Sequence, residues 1–203
     1  MSSTYGKNLN LTIFGQSHGT AIGMTLDGIP AGLPVDFEQL ECFLARRAPG
    51  QGNYATARKE ADIPEFLAGI TDGYTCGAPI AAIIRNTNTR SGDYAQLRDV
   101  PRPGHADYAA EMKYHGYQDS RGGGHFSGRI TAALVAAGAV CKYALEQKGI
   151  FIGTHVKRCA GVSDREFTDI KADIAELSEK TFAVLDEASG EKMKESILTA
   201  AAD

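Results

Sequence analysis

The four cysteines (Cys42, Cys76, Cys141, Cys159) include no CxxC pair, and no apolar run approaches the roughly 18 residues of a membrane span. A disulfide framework is therefore neither needed nor suggested in a chain of 203 residues, and the cysteines are expected to be buried thiols. The polar start over residues 1–7 lacks the apolar stretch of a secretory signal, so a cytoplasmic location without membrane insertion is expected. His105, His115 and His125 fall ten residues apart, which matches no metal-ligand spacing, and no metal is expected. Aromatic residues are only 8% of the chain and the net charge is -4, which argues against nucleic acid as a partner despite one Arg-Gly-Gly sequence. With 43% hydrophobic and 23% charged residues there is material for one globular domain or two small ones.

Charge is unevenly spread. From Gly161 onward 5 Lys and Arg face 11 Asp and Glu, while the preceding part carries 16 against 14. Period-two alternation predicts a strand over 8–14 and a second over 21–26, and Asp36 with Gln39 predicts a capped helix to Arg47. Residues 50–62 read as a long polar loop and 65–84 as two strands around a turn at 71–77. A polar loop then carries Arg85, Arg90, Arg98 and Arg102, ahead of a short helix over 105–114. The segment 129–147 is apolar nearly all round and reads as a buried helix, followed by a strand over 150–156 and acidic amphipathic helices.

Three segments carry chemistry. Arg121-Gly122-Gly123-Gly124 runs through Ser127 into the buried helix, where free N–H groups, the helix dipole and the neighbouring Arg121 and Arg129 suit an anion, phosphate above all. Two histidines flanked by glycine, His18 in Gly15-Gln16-Ser17-His18-Gly19 and His105 in Arg102-Pro103-Gly104-His105, can exchange protons near neutral pH with a ligand brought close. Arg46-Arg47-Ala48-Pro49-Gly50 is either an anion-binding pair or a helix C-terminus with favourable basic residues.

Taken in order, the segments Phe14 to Gly19, Arg46 to Gly50, Gly77-Ala78-Pro79-Ile80 with Asn86, Arg90-Ser91-Gly92-Asp93-Tyr94, Arg102 to Asp107 and Arg121 to Gly124 with Ser127 and Arg129 make the chain resemble chorismate synthases. The resemblance implies an α+β fold, a β-α-β sandwich with a helix core between antiparallel sheets. It implies elimination of phosphate and a ring proton from 5-enolpyruvylshikimate-3-phosphate to give chorismate, with reduced FMN required but no net redox change. NADPH serves flavin reduction in some members, and the complete protein is expected to be a homotetramer. By that likeness His18 and His105 are catalytic, Arg47, Arg102 and Arg129 hold substrate anions, and His125, Phe126 and Ser127 occupy the flavin-binding stretch.

The sequence also departs from the family pattern. Gly124-His125-Phe126-Ser127-Gly128-Arg129 stands where Gly-Arg-Ser-Ser-Ala-Arg is common, Gln16 replaces a Glu, and Asn53 stands where many members have Arg. The family's Gly-Asp-Ser-Val-Gly-Gly segment is missing, so 1–203 is expected to be the N-terminal portion of a single, truncated domain. Two other readings compete: a phosphate- or flavin-binding scaffold without turnover, and an RNA-binding protein.

Overall fold

The computed structural model describes residues 3–50, 52–55, 60–87 and 100–202. Arg90, Arg98 and the motif 90–94 lie outside the described residues, as do 51 and 56–59 of the polar loop. The described elements are, in chain order, β1 (Thr4–Tyr5), β2 (Asn10–Gly15), β3 (Ala21–Asp27), α1 (Phe37–Arg47), β4 (Glu65–Ala68), β5 (Ile70–Thr71), β6 (Tyr74–Thr75), β7 (Ile80–Arg85), α2 (Asp107–Tyr114), α3 (Thr131–Glu146), β8 (Arg158–Cys159), β9 (Val162–Ser163), α4 (Ile170–Ser178) and α5 (Glu187–Ala202). Helices and antiparallel sheets occur in separate runs, an α+β fold.

The chain packs as two compact units, residues 1–45 with 60–141, and residues 46–59 with 142–203. In the first unit a five-stranded antiparallel sheet has the order β1-β2-β3-β7-β4. Its registry pairs Phe14 with Gly23 and Met24 with Ala82. Alternate residues of the central strands point one way: Ile22, Met24 and Leu26 of β3, and Ile80, Ala82 and Ile84 of β7, are buried. Helix α3 lays Ala133, Ala136, Ala137 and Val140 on that face, where alanine's small side chain permits close approach. Leu40 and Leu44, one turn apart on α1, complete the core. Gly128–Glu146 is also long and apolar enough to cross a membrane by length and composition alone, and its alanines are spent on this core.

Local signals place most elements. Asp36 Oδ1 accepts the Gln39 N–H at 2.9 Å and opens α1 as expected. Ser127 does cap a helix, but a 3-10 turn (Gly128–Ile130) ahead of α3, its hydroxyl accepting the Arg129 N–H at 3.2 Å. The cysteines differ from expectation. Cys42 and Cys76 are exposed and Cys141 and Cys159 half-buried, since Cys42 faces away from Leu40 and Leu44 on α1 and Cys76 follows β6 into a turn. Burial pushes the Cys141 thiol up, which disfavours its thiolate.

In the second unit the expected strand over 150–156 is not formed. Gly153 presses against Ile174 of α4, so closely that a Cβ would come within 2.6 Å of it, and no strand ladder forms. Arg46 donates from Nη2 to the Leu177 carbonyl at 2.9 Å and from Nε to that of Lys180 at 3.2 Å, supplying a cation at the end of α4. Asp164, whose side chain is fully buried, is the hub: Oδ2 accepts from His155 Nδ1 at 2.6 Å and from the Leu185 N–H at 2.7 Å, and Oδ1 from the N–H groups of Arg165 and Asp186.

Burial by itself would raise the Asp164 carboxyl, but the hydrogen bonds from Leu185, His155, Asp186 and Arg165 together hold it below its ordinary value. A lowered folded value means that its contribution is fully present above the unfolded pKa of about 4 and is lost as pH falls through the folded one. Asp164→Ala is expected to destabilise the second unit by about 3 kcal/mol at pH 7, with the difference from wild type shrinking below about pH 4. Urea unfolding of both forms across that range, followed by circular dichroism, is the measurement.

Candidate active site

Strand β2 ends at Gly15, whose φ of +98° and close approach to the Ala21 carbonyl turn the chain sharply. The loop that follows carries Ser17 and His18 and is clamped from three sides. Asn86 Nδ2 donates to the carbonyls of Gln16 at 3.0 Å and Gly19 at 2.8 Å, and the Ser17 N–H donates to the Gly124 carbonyl at 3.0 Å. Ser17 is buried, and its hydroxyl meets His18 Nδ1 at 3.1 Å.

The glycine run packs directly on this loop. Gly122 has φ of +60°, and a Cβ there would lie 2.4 Å from His18 Cε1 and Nδ1 and 2.9 Å from the Ser17 hydroxyl. Only glycine fits. His125 pins the same two segments from the other end. Its Nδ1 lies 2.9 Å from the Gly15 carbonyl, which can only accept, so Nδ1 carries the proton and Nε2 accepts from the Ser3 hydroxyl at 2.8 Å.

Ahead of α2, Arg102 and Asp107 close the Arg102 to His105 turn. Arg102 donates to Asp107 Oδ2 from its backbone N–H at 3.0 Å and from Nε at 2.8 Å, and to Oδ1 from Nη2 at 2.9 Å. Nη2 also donates to the Gly122 carbonyl at 2.6 Å. His105 Nδ1 lies 2.9 Å from Asp107 Oδ1. The Arg102 guanidinium, through these hydrogen bonds, holds the Asp107 carboxyl far below the usual carboxylate range. Through Arg102 and Gly122 the structure thus joins the two expected histidines.

The remaining expected cations are also engaged. Arg129 is almost fully buried, its Nε donating to Asn86 Oδ1 at 3.1 Å and lying 3.0 Å from Glu60 Oε2 in an ion pair, and its Nη1 donating to Asp62. Its Nη2 is buried without a hydrogen-bond partner among the described residues. Arg121 donates to both oxygens of Asp119, each at 2.8 Å, and that hydrogen bonding lowers the Asp119 carboxyl. Arg47, the last residue of α1, is half-buried and belongs to the second unit. Glu60, Asp62 and Asp119 have no part in the sequence reading: Glu60 and Asp62 meet Arg129 only across the fold, whereas Asp119 stands two residues before Arg121 and could have been read as its local partner.

Beside this cluster lies a cavity of about 620 Å³ whose walls include Gln16, Asp107, Glu111, Tyr114, Gln118 and Phe126. Gly122 and His125 also line it, whereas Ser127 is turned to its own cap. The Tyr114 and Phe126 rings lie 6.2 Å apart at their centroids. Gln118 gives its amide N–H to Glu111 at 2.5 Å, while its Oε1 is buried without a partner among the described residues. No Lys or Arg is among the described lining residues, and Asp107, Glu111 and Asp119 make the walls acidic. The arrangement can accept hydrogen bonds from a planar ligand and hold two imidazoles in fixed positions behind the wall.

Comparison with known proteins bears on that ligand. A family model described as chorismate synthase matches residues 9–203. The chorismate synthase of Sulfurimonas denitrificans is 43% identical over 198 residues, covering 98% of this chain and 54% of the relative. That of Pyrococcus abyssi is 45% identical over 194 residues, covering 95% and 52%. A crystal structure of chorismate synthase superposes with a TM-score of 0.69 at 29% identity, over 97% of this chain and 54% of the other. The chain spans about half the length of the curated relatives it matches. On this evidence the chain belongs to the chorismate synthase family.

Proposed function

We propose that this chain supplies His18 and His105 to a chorismate synthase active site, where 5-enolpyruvylshikimate-3-phosphate loses phosphate and a ring proton to give chorismate. The observation that carries the reading is the meeting of both histidine loops at Gly122: His18 packs on its Cα side and Arg102 holds its carbonyl. Two proton-exchanging groups held by one rigid turn suit an elimination in which a leaving group and a proton depart. His18 donates a proton or hydrogen bond to the departing phosphate, its ring oriented by Ser17 and Gly122. His105 acts at the cofactor side.

The residues present fit the ring system of FMN. The cavity has the volume, Phe126 and Tyr114 supply apolar wall, and the buried Gln118 Oε1 is an acceptor in want of a donor. The acidic walls do not suit the flavin phosphate, which is left to cations elsewhere in the protein. His125 and Phe126 flank the ring, and Ser127 acts through the backbone turn that it caps. Reduced FMN, when bound, supplies an electron-rich ring beside the substrate in a reaction without net redox change.

Arg102 and Arg129 stand for substrate anions in this reading, but with their hydrogen bonds largely spoken for. Arg129 offers its unpartnered Nη2, and Arg102 contributes positive charge from a fixed position. Arg47 is assigned to substrate anions by family likeness alone. The family model runs through both units, which supports taking them as parts of one domain whose β-α-β sandwich is completed in the full-length protein. Cytoplasmic location, homotetrameric assembly and flavin reduction by NADPH follow from family likeness.

Two measurements test the reading. Titration of this chain with FMN is expected to quench flavin fluorescence saturably, more tightly with the phosphorylated substrate present; absence of quenching removes the cavity as a flavin site. In the complete protein, Gly122→Ala is expected to lower the anaerobic rate of phosphate release by about 100-fold, because the new methyl displaces His18. An unchanged rate would mean that His18 need not stand where Gly122 holds it.

A further inference from the structure

Asn86 directly follows β7, and both polar atoms of its side chain are bonded. Nδ2 has two hydrogens and donates to two carbonyls, that of Gln16 at 3.0 Å and that of Gly19 at 2.8 Å. Oδ1 accepts from Arg129 Nε at 3.1 Å. The backbone N–H of Asn86 donates to the Thr20 carbonyl at 3.1 Å, one step beyond the pairing of Ala21 with Arg85 that ends the β3–β7 ladder. The side chain therefore starts from a fixed point on the sheet.

The turn that it meets carries His18. Gln16 and Gly19 bracket Ser17 and His18, and the Gly19 N–H closes the turn on the Gln16 carbonyl at 3.1 Å. The Asn86 amide holds the carbonyls at both ends of that turn. Gln16 and Gly122 both line the cavity, and His18 lies against Gly122, so the place of the turn sets part of the wall as well as the imidazole behind it. Arg129 decides which way the amide faces. Turned over, Oδ1 would meet two carbonyl oxygens with no hydrogen to give, and Nδ2 a guanidinium nitrogen that cannot accept. The guanidinium is itself fixed, with Nη1 bonded to Asp62 and Glu60 ion-paired to Nε.

We propose that Asn86 is a positioning residue for His18, its amide aimed by Arg129 so that both N–H groups hold the turn on which His18 is carried. The proposal rests on the functional reading above for what His18 does there; the clamp itself belongs to this chain. Asn86 touches no reacting atom. It joins the turn to the sheet on one side and to the buried Arg129 on the other, and a loop tied at both ends keeps its imidazole in one place while a ligand comes and goes.

In the complete protein, Asn86→Ala is expected to lower kcat for anaerobic phosphate release by about tenfold, while KM for the phosphorylated substrate stays within about twofold. In a His18→Ala background the same substitution is expected to cost less than about twofold, because the residue that it positions is already gone. An unchanged kcat, or a loss in that background as large as the first, overturns the proposal. If Asn86→Ala does not fold, Asn86→Ser, which keeps one donor, takes its place. A His18→Ala enzyme as fast as the wild type overturns the functional reading instead, and this chain then decides the clamp. Hydrogen exchange at the Ser17 and Gly19 N–H groups is expected to quicken by about tenfold in the Asn86 variant, with that of Leu185 in the second unit unchanged. Equal rates at Ser17 and Gly19 overturn the clamp. Should neither variant fold, the Asn86 side-chain amide of the wild-type chain decides: slow exchange of both protons supports the proposal, and the rate of an exposed amide overturns it.

Discussion

The fork of Arg102 is the contact on which the candidate site depends. One guanidinium closes the Arg102 to Asp107 turn, orients the carboxylate that faces His105, and ties that turn to the glycine run through the Gly122 carbonyl. Gly122 in turn lies flat against His18 because it has no side chain. A planar group with five donors in fixed directions can do this, and a lysine could not, since an ammonium matches neither the paired geometry nor the reach. The histidines are held in place by an arginine and a glycine, neither of which need change protonation state.

The arginines of this site are paired before any ligand arrives. Arg121 has Asp119, Arg102 has Asp107, and Arg129 is buried between Glu60 and Asp62. For the buried group this follows from elementary electrostatics, because an isolated guanidinium out of water is costly, and loss of one partner typically costs about 3–5 kcal/mol. The pairing makes the cluster stiff. It also sets the character of the neighbouring cavity, whose walls keep the carboxylates while the guanidinium of Arg129 is drawn beneath the surface. A phosphate approaching from that side meets acceptors.

What could be read from the sequence was what local pattern controls. The alternation of Leu11 and Ile13 and the Asp36 cap gave β2 and α1, and the alanine-rich run gave α3. Ser127 was legible as a cap but not as the cap of a 3-10 turn, since the choice between the two helices rests on packing around Gly123 and Gly124. Residues 150–156 carry strand-like apolar content yet have no strand to pair with among the described residues, a fact held in distant sequence. The site divides the same way. His18, His105 and Arg102 stood out through their flanking glycines and the order of their motifs, whereas Glu60 and Asp62 meet Arg129 only after a separation of about 67 residues has been closed. Nothing local marks such a pair.

The Arg46 cap on α4 bears on the order in which the molecule can assemble. Every strand of the main sheet has been synthesised once residue 85 is out, so its hairpin neighbours can pair early. Arg46 finds its carbonyl partners only 131 and 134 residues later, at Leu177 and Lys180. The cap therefore cannot form until more than a hundred further residues have followed α1. A ribosome that stalls between those points leaves every strand of the sheet made and the α4 cap still to form, an interval open to chaperone capture.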